Sequence, residues 1–245
     1  MKKNKFIVKS NRLLAKYTYE MELKGDISSI KRPGQFIHIE LDGFFLRRPI
    51  SICDWTASSL TIVYKAVGRG TEYMAGLAEG AELEALVGLG NGFDTQKSGE
   101  KPLLIGGGAG IPPLYALTRK LLENGKKVTV VLGFNSADEA FYISKFTTLG
   151  ANVIITTADG SLGVRGLVTD AMDGLDYSYT YACGPEPMLK AVYDKALTDG
   201  QYSFEERMGC GIGVCMGCVY RSKTGYKRIC KDGPVLEKEE ILWQT

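Results

Sequence analysis

Four cysteines near the end of the chain have a spacing that suits a metal cluster. Three of them follow the pattern C-x4-C-x2-C and a fourth comes after eleven further residues: Cys210, Cys215, Cys218 and Cys230. Three thiolates can converge from one short loop only if the backbone turns sharply, and glycine permits such turns. Four glycines lie in or beside the loop: Gly209, Gly211, Gly213 and Gly217. Because plant-type 2Fe-2S centres use this spacing, the four cysteines are predicted to hold one 2Fe-2S cluster.

Two other uses of cysteine compete with this interpretation. Zinc sites usually pair their cysteines in two short C-x2-C clips, whereas here three cysteines share one loop. A disulfide framework fits less well, because Cys53 and Cys183 stand alone and far apart in the sequence. This cysteine usage indicates a reducing, cytoplasmic setting.

The composition excludes several classes of partner. Of the 245 residues 44% are hydrophobic, as in a globular protein of one or two domains. A formal net charge of +2 is too small to indicate binding to nucleic acid or to a lipid surface. No apolar run approaches the roughly 20 residues that a membrane span needs, and no signal-type segment follows the start. We expect no nucleic-acid or membrane partner.

A second group of residues suits a flavin nucleotide. Arg48-Pro49-Ile50-Ser51 places a guanidinium, a rigid turn and a hydroxyl at the start of a strand, which suits a pyrophosphate and an isoalloxazine ring. About twenty residues later Gly70-Thr71 opens a predicted helix over 71–80, where backbone N–H groups meet an anion. Between them Val63-Tyr64-Lys65 offers a ring and a cation to cover the flavin. Each pattern alone also occurs as an ordinary strand start or helix cap.

A glycine run offers a site for a second nucleotide. Gly106, Gly107, Gly108 and Gly110 follow a short apolar strand and precede a helix. The run lacks the strict G-x-G-x-x-G pattern, because Ile111 takes the place of the last glycine. A glycine-rich turn still lets a pyrophosphate approach the backbone and the helix N-terminus. The alternative is a turn whose glycines serve only tight packing.

The residues after the next strand favour NAD over NADP. The stretch 133–139 contains no arginine for a 2′-phosphate, while Asp138 or Glu139 could bind the free ribose hydroxyls. Both acids also suit the first turn of a helix, where the helix dipole favours negative charge. We expect NAD as the nucleotide.

The first part of the chain must position the flavin residues on strands. Short segments of alternating apolar and polar residues, separated by turns, occupy 6–10, 17–23, 36–41, 50–53, 60–67 and 83–87. This pattern predicts an antiparallel barrel or sandwich. His38, the one histidine of the chain, is interpreted as a barrel side chain.

The middle of the chain alternates strands with helices. Strands are predicted at 102–105, 128–132, 153–157 and 178–182, with helices after the glycine run, at 137–146 and at 186–197. Such alternation predicts a doubly wound parallel sheet whose ligand lies at the C-terminal ends of its strands. From Gln201 the pattern stops. The fold class is therefore multidomain β + α/β, with a flavin-binding antiparallel β-barrel at 1–97, a nucleotide-binding α/β domain at 98–200 and a small 2Fe-2S arm at 201–245.

The arm is basic around its cysteines. Between residues 207 and 231 there are six Lys or Arg side chains and no acidic one. They either offset the negative charge of the cluster or form a docking surface for an electron-transfer partner.

The order of the three parts carries a functional argument. A nicotinamide exchanges two electrons as hydride while an iron-sulfur cluster passes one at a time, so a flavin between them interconverts the two. Because no further site for an organic substrate is evident, the chain is expected to be the electron-transfer part of a larger enzyme.

These motifs together resemble a known family. Their order is similar to that in the electron-transfer subunits of type B dihydroorotate dehydrogenase, in the ferredoxin-NADP reductase superfamily. The motifs that carry this resemblance are, in chain order, Arg-Pro-Ile-Ser, Gly-Arg-Gly-Thr, Gly-Gly-Gly-Ala-Gly-Ile-Pro-Pro, Ala-Cys-Gly-Pro and Glu-Arg-Met-Gly-Cys-Gly-Ile-Gly-Val-Cys. The resemblance implies FAD, one 2Fe-2S cluster and NAD. It also implies a separate FMN-containing catalytic subunit that oxidises dihydroorotate in pyrimidine biosynthesis, in a heterotetramer with two copies of each subunit.

Cys183 gains a role from the same resemblance. Cys183-Gly184-Pro185 is similar to the C-G-P element of this superfamily, whose cysteine lies beside the nicotinamide, which makes Cys183 the candidate catalytic residue. The alternative is a buried cysteine that packs as a small hydrophobic side chain.

Related complexes and a different class of protein remain as rivals. Small subunits of NADH-dependent ferredoxin-NADP oxidoreductase, sulfur reductase or hydrogenase have a similar plan, but such subunits can carry Asp where this chain has Cys210. That cysteine favours the pyrimidine pathway. A non-enzymatic iron-sulfur redox sensor is disfavoured by the intact flavin and nucleotide elements.

Overall fold

The N-terminal part of the chain folds into a closed antiparallel barrel. The computed structural model describes residues 2–243; Met1, Gln244 and Thr245, at the ends of the first and third predicted domains, lie outside the described residues. Within them the barrel strands are β1 (Lys2–Ala15), β2 (Thr18–Gly25), β3 (Phe36–Glu40), β4 (Arg48–Trp55), β5 (Ser59–Lys65) and β6 (Glu82–Leu89). Their order around the barrel is β1-β2-β5-β4-β3-β6, and pairing of β1 with β6 closes it.

The alternation seen in the sequence is the inward and outward alternation of these strands. In β6, for example, Leu83, Ala85, Val87 and Leu89 are buried, and the residues between them are partly exposed. Because side chains point to opposite faces at successive strand positions, this pattern fills the barrel interior.

The helix that follows β5 differs from the predicted one. Helix α1 spans Arg69–Ala75, so Gly70 and Thr71 lie within its first turn and Gly68 precedes it. The helix ends early because Gly76 turns its backbone N–H back to Tyr73 and Met74. The prediction that Gly70-Thr71 opens a helix reaching residue 80 is therefore wrong at both ends.

A mainly parallel sheet follows the barrel. Its strands are β7 (Pro102–Gly107), β8 (Thr129–Phe134), β9 (Asn152–Thr157), β10 (Val164–Arg165), β11 (Tyr179–Cys183) and β12 (Gly200–Ser203). The helices are α2 (Pro112–Glu123), α3 (Ile143–Leu149) and α4 (Glu186–Lys195). The strand order is β10-β9-β8-β7-β11-β12, and all these pairs are parallel. The order reverses between β7 and β11, which is where a ligand is expected in such a sheet.

Two predicted features of this region are wrong. In place of a helix over 137–146 there is a 3-10 turn at Ala137–Glu139 and then α3, because Tyr142 adopts a left-handed conformation with φ of 65°. The strand-helix pattern also does not stop at Gln201. Strand β12 runs across that position, since its parallel pairing with β11 continues to Ser203.

The C-terminal arm is built into the sheet. It contains a hairpin of β13 (Val219–Ser222) and β14 (Gly225–Arg228), followed by β15 (Val235–Glu237), which pairs antiparallel with β12. Strand β15 thereby covers the edge of β12. Buried Cys218, Ile229 and Cys230 belong to the same hydrophobic cluster as residues of β7 and β11. The C-terminal arm, which is too small to bury a hydrophobic core of its own, thus shares the core of the nucleotide domain.

A polar network joins the barrel to the nucleotide domain. Glu20, in β2, is 7% exposed and accepts hydrogen bonds from the Tyr142 hydroxyl, from Lys145 Nζ at 2.5 Å and from Arg12. Arg119 of α2 donates to Asp54 of β4 at 2.7 Å. These contacts hold the two domains in a defined orientation.

Within residues 2–243, no helix combines the length and the apolar character that crossing a membrane would require.

Candidate redox cleft and cluster loop

The four predicted cluster cysteines lie around the hairpin β13–β14. The hairpin pairs Val219 with Arg228, and the Ile229 N–H donates to the Cys218 carbonyl at 3.0 Å. This pairing brings Cys218 beside Cys230. Both are buried, while Cys210 is partly exposed and Cys215 is exposed. All six cysteines of the chain are free thiols, which contradicts a disulfide framework.

Backbone N–H groups of the loop are turned toward its sulfur atoms. Cys210 Sγ accepts from the N–H groups of Ile212, Val214 and Cys215 at 3.4, 3.3 and 3.4 Å. Burial acts to raise the pKa of Cys210, but these backbone donors outweigh it and lower the pKa to about 6. The loop therefore favours a thiolate at this position before any metal binds, and thiolates are the ligands of iron-sulfur clusters.

The cysteines are arranged as two pairs. The Cys210 N–H donates to Cys215 Sγ at 3.5 Å, and the Cys230 N–H donates to Cys218 Sγ at 3.4 Å. Burial and the neighbouring Cys218 raise the pKa of Cys230 to about 12. In the part of the chain that is described, no three His, Cys, Asp or Glu side chains are grouped as ligands of one metal ion. Two thiolates for each of two irons is the donor set of a 2Fe-2S cluster, so the residues fit that group.

An ion pair between Arg228, at the end of the hairpin, and Asp232 helps to hold the cluster loop in place. Arg228 Nε and Nη2 donate to the Asp232 carboxylate at 2.7 and 2.9 Å, and Arg228 Nη1 donates to the Gly213 carbonyl at 3.3 Å. The hydrogen bonds from Arg228 lower the pKa of Asp232 to about 2. Lys227 pairs with Glu240 at 2.9 Å. Two of the six basic side chains between residues 207 and 231 are therefore already paired with carboxylates.

The two predicted flavin motifs touch one another. The Arg48 guanidinium lies directly on the backbone of Gly70, and an ideal Cβ at position 70 would overlap Arg48 Nε. Arg48 also lies over the Phe44 ring, 5.0 Å from its centroid. Thr71 Oγ1 accepts from the Val67 N–H and donates to the Gly68 carbonyl, both at 3.1 Å. Gly70 and Thr71 thus shape the backbone on which Arg48 rests.

A cleft of about 240 Å³ joins all three parts of the chain. The barrel contributes six of the predicted flavin residues to its wall: Pro49, Ile50, Ser51, Val63, Tyr64 and Lys65. The nucleotide domain contributes Ala109 and Cys183, and the arm contributes Glu205 and Met208. Residues far apart in the sequence therefore line one cavity.

The residues predicted to cover the flavin differ in their surroundings. Tyr64 is buried, its ring stacks on Tyr19, and its hydroxyl donates to Asn11 Oδ1 at 2.9 Å. Lys65 is partly exposed and pairs with Glu139 of the nucleotide domain at 2.8 Å. Lys65 therefore links the barrel to the nucleotide domain through an ion pair.

A second cleft, of about 400 Å³, opens from the glycine run and is called the nucleotide cleft below. Gly107 and Gly108 line it together with Lys65, Asn135 and Glu139. Gly106 is packed under Ile111 and Leu114, so a Cβ there would have no room. The glycine run therefore serves both of the roles that the sequence left open, a cleft wall and tight packing.

Cys183 lies at the end of β11, beside the glycine run. An ideal Cβ at Gly110 would overlap the Cys183 carbonyl, so the two turns are in backbone contact. The Cys183 side chain is 2% exposed, and burial raises the pKa of its thiol well above the ordinary value. The thiol is neutral at physiological pH and lies in the wall of the 240 Å³ cleft.

Of the two acids proposed for the ribose, the structure brings one to the cleft. Glu139 lines the 400 Å³ cleft and accepts from Asn135 Nδ2 at 3.1 Å. Asp138 pairs with Lys16 of the barrel at 3.0 Å and is not among the residues that line this cleft.

Several cleft residues were missed by the sequence interpretation. Glu206 and Met208 line the 240 Å³ cleft and belong to the Glu-Arg-Met-Gly stretch that carries the family resemblance, so that motif could have identified them. Thr156 lines the nucleotide cleft, is 1% exposed and has no hydrogen-bond partner for its hydroxyl within residues 2–243. No local motif marks Thr156, because its position follows from the order of strands in the sheet.

Comparisons with known proteins agree with this arrangement. Residues 205–242 match the family model of the iron-sulfur cluster binding domain of dihydroorotate dehydrogenase B, and residues 104–194 match that of the oxidoreductase NAD-binding domain. A structure of NADH-dependent reduced ferredoxin-NADP oxidoreductase, studied for flavin-based electron bifurcation, has a TM-score of 0.88 at 29% identity, covering 97% of this chain and 90% of that one. The predicted fold class is confirmed.

Two curated relatives are similar in sequence to this chain over nearly its full length. The dihydroorotate dehydrogenase B (NAD(+)) electron transfer subunit of Shouchella clausii is 45% identical over 244 residues, which cover 94% of each chain. The subunit of the same name from Fusobacterium nucleatum is 42% identical over 250 residues, which cover 96% of each chain. The resemblance inferred from the motifs is thus confirmed, and the chain belongs to the family of dihydroorotate dehydrogenase B (NAD(+)) electron transfer subunits.

Proposed function

We propose that this chain carries electrons from the FMN of a separate dihydroorotate dehydrogenase catalytic subunit, through a 2Fe-2S cluster and FAD, to NAD+ in pyrimidine biosynthesis. The observation that carries the proposal is the 240 Å³ cleft, where the flavin motif, Cys183 and the cluster arm share one wall. Flavin chemistry supplies the conversion between one-electron and two-electron transfer.

The barrel residues would bind FAD. Arg48 supplies a fixed guanidinium for the pyrophosphate, Pro49 and Ile50 shape the start of β4, and Ser51 offers a hydroxyl at the cleft. Val63, Tyr64 and Lys65 form the facing part of the wall from β5. Gly70 and Thr71 hold the turn beneath Arg48.

The nucleotide domain would bind NAD at the point where the strand order reverses. Gly106, Gly107, Gly108 and Gly110 allow the backbone after β7 to approach a pyrophosphate. Glu139 would accept from the free ribose hydroxyls, which favours NAD over NADP. Cys183 is proposed to lie beside the nicotinamide, where a small neutral thiol leaves room for the ring to approach the flavin.

The arm would hold the cluster with Cys210, Cys215, Cys218 and Cys230. This assignment completes the division of labour that we propose for the chain: a barrel for FAD at 1–97, an α/β domain for NAD at 98–200 and a cluster segment at 201–245. The names of the relatives imply a catalytic partner subunit. We further propose that this partner contains FMN, that two copies of each chain form a cytoplasmic heterotetramer, and that the unpaired basic side chains of the arm face it.

The isolated chain and the reconstituted complex distinguish the steps of this route. Anaerobically purified chain should show a flavin spectrum and the paramagnetic signal of one reduced 2Fe-2S cluster. It should reduce artificial acceptors with NADH but oxidise dihydroorotate only after an FMN-containing dihydroorotate dehydrogenase is added. Oxidation of dihydroorotate by the isolated chain would contradict the proposed subunit role, and a zinc-only sample would contradict the cluster.

A second candidate is favoured by the fold comparison. The high TM-score to the ferredoxin-NADP oxidoreductase structure supports a small FAD and 2Fe-2S subunit of another NAD(P)H-dependent complex, such as that enzyme, a sulfur reductase or a hydrogenase. Cys210 as a fourth thiolate favours the dihydroorotate route. Electron transfer to ferredoxin, and none from an added FMN-containing dihydroorotate dehydrogenase, would favour the second candidate.

A further inference from the structure

The one histidine of the chain lies between the flavin motif and the cluster loop. His38 is at the middle of β3 and is 0% exposed. In the β3–β4 ladder it lies opposite Pro49, and Phe36, two residues earlier on the same face, lines the 240 Å³ cleft. The sequence interpretation of His38 as a barrel side chain is correct in position but omits what the ring contacts.

The imidazole ring faces the loop that carries the first cluster cysteine. Gly211 directly follows Cys210, has a φ of 71°, and lies so close to the ring that an ideal Cβ would overlap His38 Nδ1. The backbones of Cys210 and Arg47 are also next to the ring. Glycine at position 211 therefore allows both the left-handed turn and the close approach of the histidine.

Backbone acceptors of Cys210 and Arg47 lie nearby, but neither ring nitrogen makes a hydrogen bond of normal length and angle within the described part of the chain. The ring is fully buried and carries at least one N–H donor, whether it is neutral or charged. A buried donor normally has an acceptor, and leaving one unpaired is destabilising. A cluster bound in this loop would bring sulfur atoms as additional acceptors.

We propose that His38 donates a hydrogen bond to a sulfur atom of the 2Fe-2S cluster and thereby raises the cluster's reduction potential. Hydrogen bonds to the sulfurs are among the factors that set such potentials, because they stabilise the more negative reduced form. His38 would thus tune how readily the cluster accepts an electron. The inference rests on the proposed function, since it requires the four cysteines to hold a cluster.

Because the chain contains a single histidine, the wild-type protein itself permits a direct test. The whole chain is produced with 15N-histidine and reduced, and the cluster is studied by electron–nuclear double resonance. We expect one 15N nucleus to show a weak coupling to the electron spin of the cluster, of the size that a hydrogen bond transmits. The absence of any 15N coupling would overturn the proposal, as would the strong coupling of a histidine bound directly to iron.

Substitutions test the effect on the potential. His38→Leu removes the donor, while His38→Asn keeps an N–H near the position of Nδ1. In His38→Leu the ratio of reduced to oxidised cluster at a fixed potential should fall roughly tenfold, which for one electron is about 59 mV, and His38→Asn should recover most of this. Ile39→Val, which alters the core-facing side of the same strand, is the control and should leave the potential unchanged. An unchanged potential in His38→Leu would contradict the proposal.

The two levels of inference fail differently. A sample without any 2Fe-2S signal would overturn the proposed function and this inference with it. A normal cluster signal with no 15N coupling would overturn the role of His38 alone.

Discussion

At the scale of single residues, the lack of a side chain at position 110 brings two distant motifs together. The glycine run and the Cys-Gly-Pro turn end neighbouring parallel strands, and Gly110 lies against the Cys183 carbonyl. Any Cβ there must push the two turns apart. The proposed nicotinamide site is therefore sensitive to one methyl group at a residue that carries no functional group.

Gly110→Ala should lower NADH-dependent acceptor reduction at least roughly tenfold, because separating the turns displaces groups that orient the nicotinamide. It should also lower the free energy of unfolding by about 1–3 kcal/mol through overpacking. Steady-state kinetics and denaturant unfolding measure both. Gly76→Ala is the control, since its φ is −87° and its Cβ would meet just the Tyr73 carbonyl, at 3.6 Å. Equal behaviour of the two variants would contradict this account.

At the scale of elements, the hairpin β13–β14 and the ion pair at its end organise the cluster loop. The hairpin sets Cys218 beside Cys230, and Arg228 connects Asp232 to the Gly213 carbonyl. Because the Arg228–Asp232 pair is partly exposed, it contributes at most about 1 kcal/mol to global stability. Its effect should instead be local, on the persistence of the loop conformation that the cluster requires.

Asp232→Asn should therefore speed the loss of the cluster several-fold while changing the melting temperature little. The measurement is bleaching of the visible absorption in the presence of an iron chelator under anaerobic conditions. Asp194→Asn removes an (i, i+4) ion pair with Lys190 on α4, outside the cluster loop, and serves as the matched control. A cluster that is lost no faster in Asp232→Asn than in the control would show that the Arg228–Asp232 ion pair has no such role.

At the scale of the whole molecule, function depends on the orientation of the barrel against the nucleotide domain. The 240 Å³ cleft exists only while the two domains are docked, and Glu20 accepts from Tyr142 and Lys145 across that junction. Burial acts to raise the pKa of Glu20, but the hydrogen bonds from Lys145, Tyr142 and Arg12 outweigh it, so the pKa is lowered. The carboxylate form therefore stabilises the docked state.

A lowered native pKa gives a defined sign to the pH dependence. The contribution of Glu20 is fully present above its ordinary pKa of 4.5 and is lost as the pH falls through the lowered native value. Glu20→Gln should cost about 1–3 kcal/mol at pH 7, because it leaves charged donors without their acceptor, and the difference from wild type should shrink below pH 4.5. Denaturant unfolding across this pH range measures it.

Glu22→Gln provides the control for this pH series. Glu22 lies on the same strand and pairs with Lys9 at 2.8 Å on the outer surface of the barrel, so its loss should cost less than about 1 kcal/mol. A pH-independent cost of Glu20→Gln, or an equal cost of both variants, would contradict the role of Glu20 at the junction.

The sequence by itself determined the features that depend on neighbouring residues. The cysteine spacing, the glycine turns and the alternation of β6 are local, because ligand loops, turns and strand faces are set by residues a few positions apart. These patterns were enough to predict the family, the barrel and most of the parallel sheet. Helix ends were less predictable. At Tyr142, for example, the backbone is left-handed and the side chain is hydrogen-bonded to Glu20 of the barrel, a contact that the local sequence does not reveal.

Only the tertiary structure decided which of these residues meet. Strand β15 joins the sheet beside β12, Glu139 rather than Asp138 lines the nucleotide cleft, and His38 faces Gly211. Each of these relations joins residues from distant parts of the chain. They depend on strand order and on packing between domains, and no local spacing in the sequence encodes either.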